Sequence, residues 1–134
     1  MANIVDVEGI GAAHAAKLES AGIRTVEGFL DKAGSAKGRD DLAESTGISA
    51  KLLLEWANRA DLYRIKGIGS EFSDLLESAG VDSVPELAQR NAANLAAKLL
   101  EINNAKNLAN RVPSESQLED WINQAKALPK VVTH

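Results

Sequence analysis

The sequence predicts an all-α protein of tandem helical hairpins packed as one compact helical body, and three observations predict it. Ala and Leu are abundant, whereas aromatic residues make up only 4% of the chain. Val and Ile never alternate with polar residues over the length of a strand, so the period-2 signal of a sheet is missing. The third observation is a short block used twice. Gly9-Ile10-Gly11 returns as Gly67-Ile68-Gly69, and Leu18-Glu19-Ser20-Ala21-Gly22 returns as Leu76-Glu77-Ser78-Ala79-Gly80, both displaced by 58 positions. An internal repeat sets the architecture before any single element does.

The helices follow in order. Gly11 precedes a helix from Ala12 to Ser20 with Ala15, Leu18 and Ala21 as its apolar face, and Gly22 fits the left-handed position that ends it. Thr25 caps Val26 to Lys32. Gly34-Ser35-Ala36-Lys37-Gly38 reads as a glycine-rich loop, followed by a short helix from Asp40 to Ser45 that Gly47 stops. Ser49 caps a long helix from Ala50 to about Leu62, with Leu53, Trp56, Ala57 and Ala60 on one face. The plan then repeats. Ser70 to Ser78 is stopped by Gly80, Ser83 caps a helix with Pro85 in its first turn, and Asn94 caps Leu95 to Ile102. Asn103-Asn104 breaks that helix, and Lys106 to Asn110 is a further short piece. Pro113-Ser114 starts the last helix, Glu115 to Leu128, with Leu118, Trp121, Ile122 and Ala125 on one face.

The two long helices correspond at an offset of 65, through Ser49, Leu53, Trp56, Asn58 and Ala60 against Ser114, Leu118, Trp121, Asn123 and Ala125. The change from 58 to 65 places seven extra residues between Ala88 and Arg111. The reading is therefore two units, 1–62 and 63–134, packed together as one domain. The chain opens on a turn without a leading helix and closes on a helix without a following turn. This predicts that the C-terminal helix packs against the N-terminal hairpin, within one chain or between copies.

Composition removes several classes of function. With 134 residues the chain is long enough to bury a core without staples. It has no Cys, which excludes disulfides, Cys-ligated zinc and a Cys nucleophile. Apolar runs such as Leu52-Leu53-Leu54 are too short to span a membrane. Met1-Ala2-Asn3-Ile4-Val5-Asp6 lacks the pattern of a signal peptide, so a cytoplasmic location is expected. The formal charge is −4, from 15 basic and 19 acidic residues, and neither unit is basic. A protein that lives on phosphate neutralisation usually carries a basic face.

Val7-Glu8-Gly9-Ile10-Gly11 with Leu18, and Ile65-Lys66-Gly67-Ile68-Gly69 with Leu76, resemble the helix-hairpin-helix motif. Each glycine permits a tight turn, and the central Ile plugs the core between two helices. Backbone N–H groups are left at a helix N-terminus, where they can cradle a phosphate. The resemblance implies paired hairpins that grip a DNA backbone without reading bases. Thr46-Gly47-Ile48-Ser49 and Arg111-Val112-Pro113-Ser114 look like degenerate forms of the same turn. The whole chain also resembles a family of uncharacterised, mostly bacterial proteins, the domain of unknown function 4332. That likeness runs through GIG, LESAGI, KGR-x2-LAE-x-TGIS and the Trp helix, and it implies a fold and no activity.

DNA-gripping hairpins often carry a Lys or Arg two residues after the second glycine, where this chain has Ala13 and Glu71. A charge-assisted contact contributes ~1.5–3 kcal/mol, so the loss is serious, and the Glu71 carboxylate is expected to face the phosphate. The first turn is at least neutral, with His14 and Lys17 nearby. Lys37-Gly38-Arg39, directly before a predicted helix start, offers another anion site through free N–H groups and cations. The candidate hairpin or phosphate-binding residues are thus Gly9, Ile10, Gly11, His14, Lys17, Lys37, Gly38, Arg39, Gly67, Ile68 and Gly69.

Trp56 and Trp121 lie on apolar faces and read as core. His14 and His134 are the only histidines, and no His is spaced from carboxylates as a metal ligand, so no metal is expected. No nucleophile triad or phosphate-binding Gly-x4-Gly-Lys-Ser/Thr loop is present, so neither an enzyme nor a cofactor is expected. The leading expectation is a non-catalytic interaction module that binds a protein partner or assembles with itself. The alternative is sequence-independent DNA or RNA backbone binding through the first Gly-Ile-Gly turn and the Lys37-Gly38-Arg39 segment.

Overall fold

Short polar side chains set most helix starts by accepting hydrogen bonds from the first turn they precede. In the computed structural model, which describes residues 3–7 and 9–133, Thr25, Ser35, Ser83, Asn91 and Ser114 accept from the N–H groups of Gly28, Gly38, Glu86, Asn94 and Gln117. Ser49 accepts from Leu52 in the same way. The described residues form a 3-10 turn (Ile4–Asp6) and eight α-helices: α1 (Ala12–Ser20), α2 (Val26–Ala33), α3 (Ala36–Thr46), α4 (Ala50–Leu62), α5 (Ser70–Ser78), α6 (Val84–Ala88), α7 (Ala92–Lys106) and α8 (Glu115–Ala127). Among them there is no strand, and extended pairing is limited to one bridge between Asn3 and Thr25. Among the described residues no helix is long and apolar enough to cross a membrane. Met1, Ala2, Glu8 and His134, which entered the readings of the N-terminus, the first turn and the histidines, lie outside the described residues.

The chain divides into two units, Met1–Asp61 with Lys130–His134, and Leu62–Pro129. In the first, α2 packs on α3 and the 3-10 turn on α1. Leu18, Phe29 and Leu53 are fully buried there, each stabilising by about 1.5–3 kcal/mol. In the second, α8 packs on α6 and α7, and α5 packs on α7. Its core runs from Leu62, Ile65 and Ile68 through Leu75, Leu76, Leu87 and Leu99 to Leu118, Trp121 and Ile122. The predicted faces of α4 and α8 are buried as read. On α1 Ala15 and Leu18 are buried, but Ala21 is the exposed C-cap residue.

Local conformations recur between the units. Gly9 and Gly67 take φ of 94° and 103°, and Gly22 and Gly80 take 87° and 88°. The extra length of the second unit lies in α7, which has 15 residues against 11 in α3, and in the longer connection from α7 to α8, partly offset by α6, which has 5 residues against 8 in α2.

Two expectations are corrected. The segment read as a glycine-rich loop is the start of α3, which begins at Ala36 because Ser35 caps it. Asn91, not Asn94, caps α7, and Asn103-Asn104 does not break it. The Asn103 amide donates to the Ala109 carbonyl (3.0 Å) and accepts from the Ala109 N–H (2.9 Å), so its polarity is satisfied without leaving the helix. Asn107 ends the helix instead, with φ 52° and ψ 50°. Trp121 of α8 covers the Gly67 turn, and Trp56 of α4 covers the Gly9 turn.

Candidate functional site

The two glycine turns are built alike. Ile10 donates to the Val7 carbonyl (3.0 Å) and Ile68 to the Ile65 carbonyl (3.2 Å), which closes each turn and buries its isoleucine. A tryptophan from the long helix then covers the outside. A Cβ on Gly9 would lie 3.1 Å from Trp56 Nε1, and one on Gly67 2.7 Å from Trp121 Nε1. Glycine is needed twice over at these positions, for its positive φ and for the close approach of the indole. A second ring completes each cover. His14 meets Trp56 at a centroid distance of 5.0 Å and 57°, and Phe72 meets Trp121 at 5.3 Å and 56°. His14 and Phe72 are themselves 58 positions apart. The spacing of the repeat carries this correspondence, which the charge of His14 alone does not show.

The turns differ in what surrounds them. At the second, the Gln124 amide brackets the Lys66 peptide, accepting from its N–H (2.9 Å) and donating to its carbonyl (3.3 Å). The Glu71 carboxylate accepts from the Asn110 N–H (3.0 Å), so it holds the connection before α8 rather than facing outward from the turn. Arg111 lies over the Phe72 ring at 5.3 Å and donates to Gln117. Gly11 and Gly69 provide no side-chain cap for α1 and α5. At the first turn, His14 is half-buried and Lys17 exposed.

The Lys37-Gly38-Arg39 segment forms a different kind of site. As the first turn of α3, it turns its donors inward. The Gly38 N–H is taken by the Ser35 hydroxyl (3.0 Å). A Cβ on Gly38 would collide with the Lys32 carbonyl oxygen, so this glycine admits the end of α2. Arg39 is 4% exposed, and its guanidinium donates to the carbonyls of Ala33 (2.9 Å), Gly34 (2.9 Å) and Thr133. Lys37 is solvent-exposed and paired with Asp41 at 3.2 Å.

These partners include residues that the sequence reading passed over. Thr133 donates its N–H to the Gly34 carbonyl (2.7 Å), and Val132 is buried. Gly34 has φ −66° and ψ −36°, a conformation open to any residue. A Cβ there would collide with the Val131 carbonyl oxygen. It would also crowd the Leu30 carbonyl oxygen of α2, so the glycine serves both the helix end and the approach of the 130–133 segment. Among the described residues, no group of His, Asp and Glu is gathered to hold a metal ion.

A family model, described as a domain of unknown function (DUF4332), matches residues 8–128. No curated protein and no solved structure matches the chain.

Proposed function

The chain belongs to the DUF4332 family, a domain of unknown function, and on that premise we propose that it is a non-catalytic helix-hairpin-helix interaction module that binds a protein partner or assembles with itself. The observation that carries this reading is Arg39. Its guanidinium is buried on three backbone carbonyls, so the strongest cation of the supposed anion site recognises polypeptide backbone. Lys37 beside it is neutralised by Asp41, and Glu71 adds a carboxylate near the second turn. These features favour a protein surface as the partner over a phosphate chain. Light scattering across a concentration series tests the self-assembling form, and affinity capture with the full chain tests the other. A monomer at every concentration that also captures no protein would sink the reading.

The alternative, binding to a DNA or RNA backbone, keeps one supporting observation. Gly11 gives α1 no side-chain cap, so first-turn N–H groups stay available beside His14 and Lys17. Binding of this kind weakens steeply between about 50 mM and about 200 mM salt. Fluorescence anisotropy with a short labelled duplex at those two concentrations decides it. The module reading expects no salt-sensitive binding, whereas the alternative expects binding at low salt that Lys17→Glu weakens.

A further inference from the structure

We infer that the cleft between the end of α2 and the start of α3 is an exchangeable docking groove for an extended peptide, and that its partner is the 130–133 segment of a second copy of this chain. The inference rests on the interaction-module reading and names its surface. In this structure the groove is filled by the chain's own segment, whose contacts define what it recognises.

Recognition runs mainly through backbone. The Gly34 carbonyl accepts from the Thr133 N–H, and the Arg39 guanidinium donates to the Thr133 carbonyl, so one residue of the incoming segment is read at both of its polar groups. Val132 supplies the buried anchor. Gly34 makes room for the Val131 peptide, because any side chain there would meet the Val131 carbonyl oxygen. Main-chain hydrogen bonds that give affinity and a pocket that selects one side chain are the usual physics of extended-peptide capture.

The same segment can arrive from another molecule. It is joined to α8 through Leu128 and Pro129, and Pro129 is exposed. The extended φ and ψ of Leu128, −70° and 134°, end the helix and turn the chain toward residues 130–133. Nothing in the contacts distinguishes the chain's own segment from an identical one. Exchange of an identical element between copies needs no new interface chemistry. The intramolecular segment has the advantage of a high effective concentration, so exchange becomes visible when that advantage is removed.

Two full-length variants remove it. Gly34→Ala blocks the groove and leaves the segment intact. Thr133→Pro deletes the N–H that Gly34 accepts and leaves the groove open. Mixed together they should form a 1:1 complex with the mass of two chains by light scattering, while each alone stays monomeric. A labelled peptide of residues 127–133 provides an arm that does not depend on Gly34→Ala folding. It should bind the Thr133→Pro chain saturably and the wild-type chain about tenfold more weakly, because that groove is occupied. A Thr133→Pro chain that is helical by circular dichroism, yet takes up neither the peptide nor its partner variant, overturns the inference. If the wild-type chain still self-associates in that case, the groove is wrong and the module reading stands. Salt-sensitive duplex binding by a persistent monomer would instead remove the module reading itself.

Discussion

Gly22, Gly9 and Gly67 form a graded series in which one backbone requirement is combined with increasing contact. All three have positive φ, at 87°, 94° and 103°. A Cβ on Gly22 would meet nothing within 4 Å, whereas it would lie 3.1 Å from Trp56 on Gly9 and 2.7 Å from Trp121 on Gly67. Left-handed backbone costs an L-residue roughly 1–2 kcal/mol, and forcing extra volume against a packed ring adds about 1–3 kcal/mol. Gly22→Ala is therefore expected to lose about 1–2 kcal/mol and Gly67→Ala about 2–4 kcal/mol, with Gly9→Ala between them. Urea denaturation followed by tryptophan fluorescence measures the order. Equal losses at all three positions would mean that the indoles yield freely and do not define the turns.

Helix ends show what was legible in the sequence and what was not. Thr25, Ser49 and Ser83 are legible as caps, and Ser114 as a helix start, because a short polar side chain and the first-turn N–H it serves lie three residues apart, within a window that local chemistry controls. The first turn of α3 has the sequence of a loop, because Gly34 and Gly38 look like loop formers. Both glycines instead make room for carbonyl oxygens, Gly38 for that of Lys32 and Gly34 for those of Leu30 and Val131, and the approach of Val131 across the chain leaves no local trace. The same limit holds at the candidate site. The sequence shows that Arg39 is a cation, but not that three carbonyls surround it. The end of α7 turns on side-chain chemistry as well. Asn107 holds the left-handed position, and Asn103 secures the connection through Ala109. Asn107→Gly is expected to keep stability or raise it by up to about 0.5–1 kcal/mol, and Asn107→Val to lose roughly 1–2 kcal/mol. Asn103→Ala leaves the Ala109 peptide without its partner and is expected to cost about 1–3 kcal/mol. Thermal melts of the three variants check this ordering, and Asn107→Val matching wild type would show that the helix end tolerates another conformation.

At the scale of the whole molecule, the chain leaves the first unit after Asp61 and returns to it at Lys130. The first unit thus draws on both ends of the sequence, and one bond of its clasp, from Arg39 to Thr133, spans 94 positions. The second unit is continuous. Each unit also carries one tryptophan in its core, Trp56 in the first and Trp121 in the second. This arrangement makes the role of the returning segment measurable. Val132→Asp places a carboxylate in a buried apolar position, which is expected to cost the first unit about 2–4 kcal/mol. In a Trp121→Phe background the remaining fluorescence reports the first unit, and its urea midpoint should fall. In a Trp56→Phe background it reports the second, whose midpoint should hold, because Val132 contributes nothing to that core. An equal fall in both backgrounds would show that the two units unfold as one, and that residues 130–133 support the entire chain.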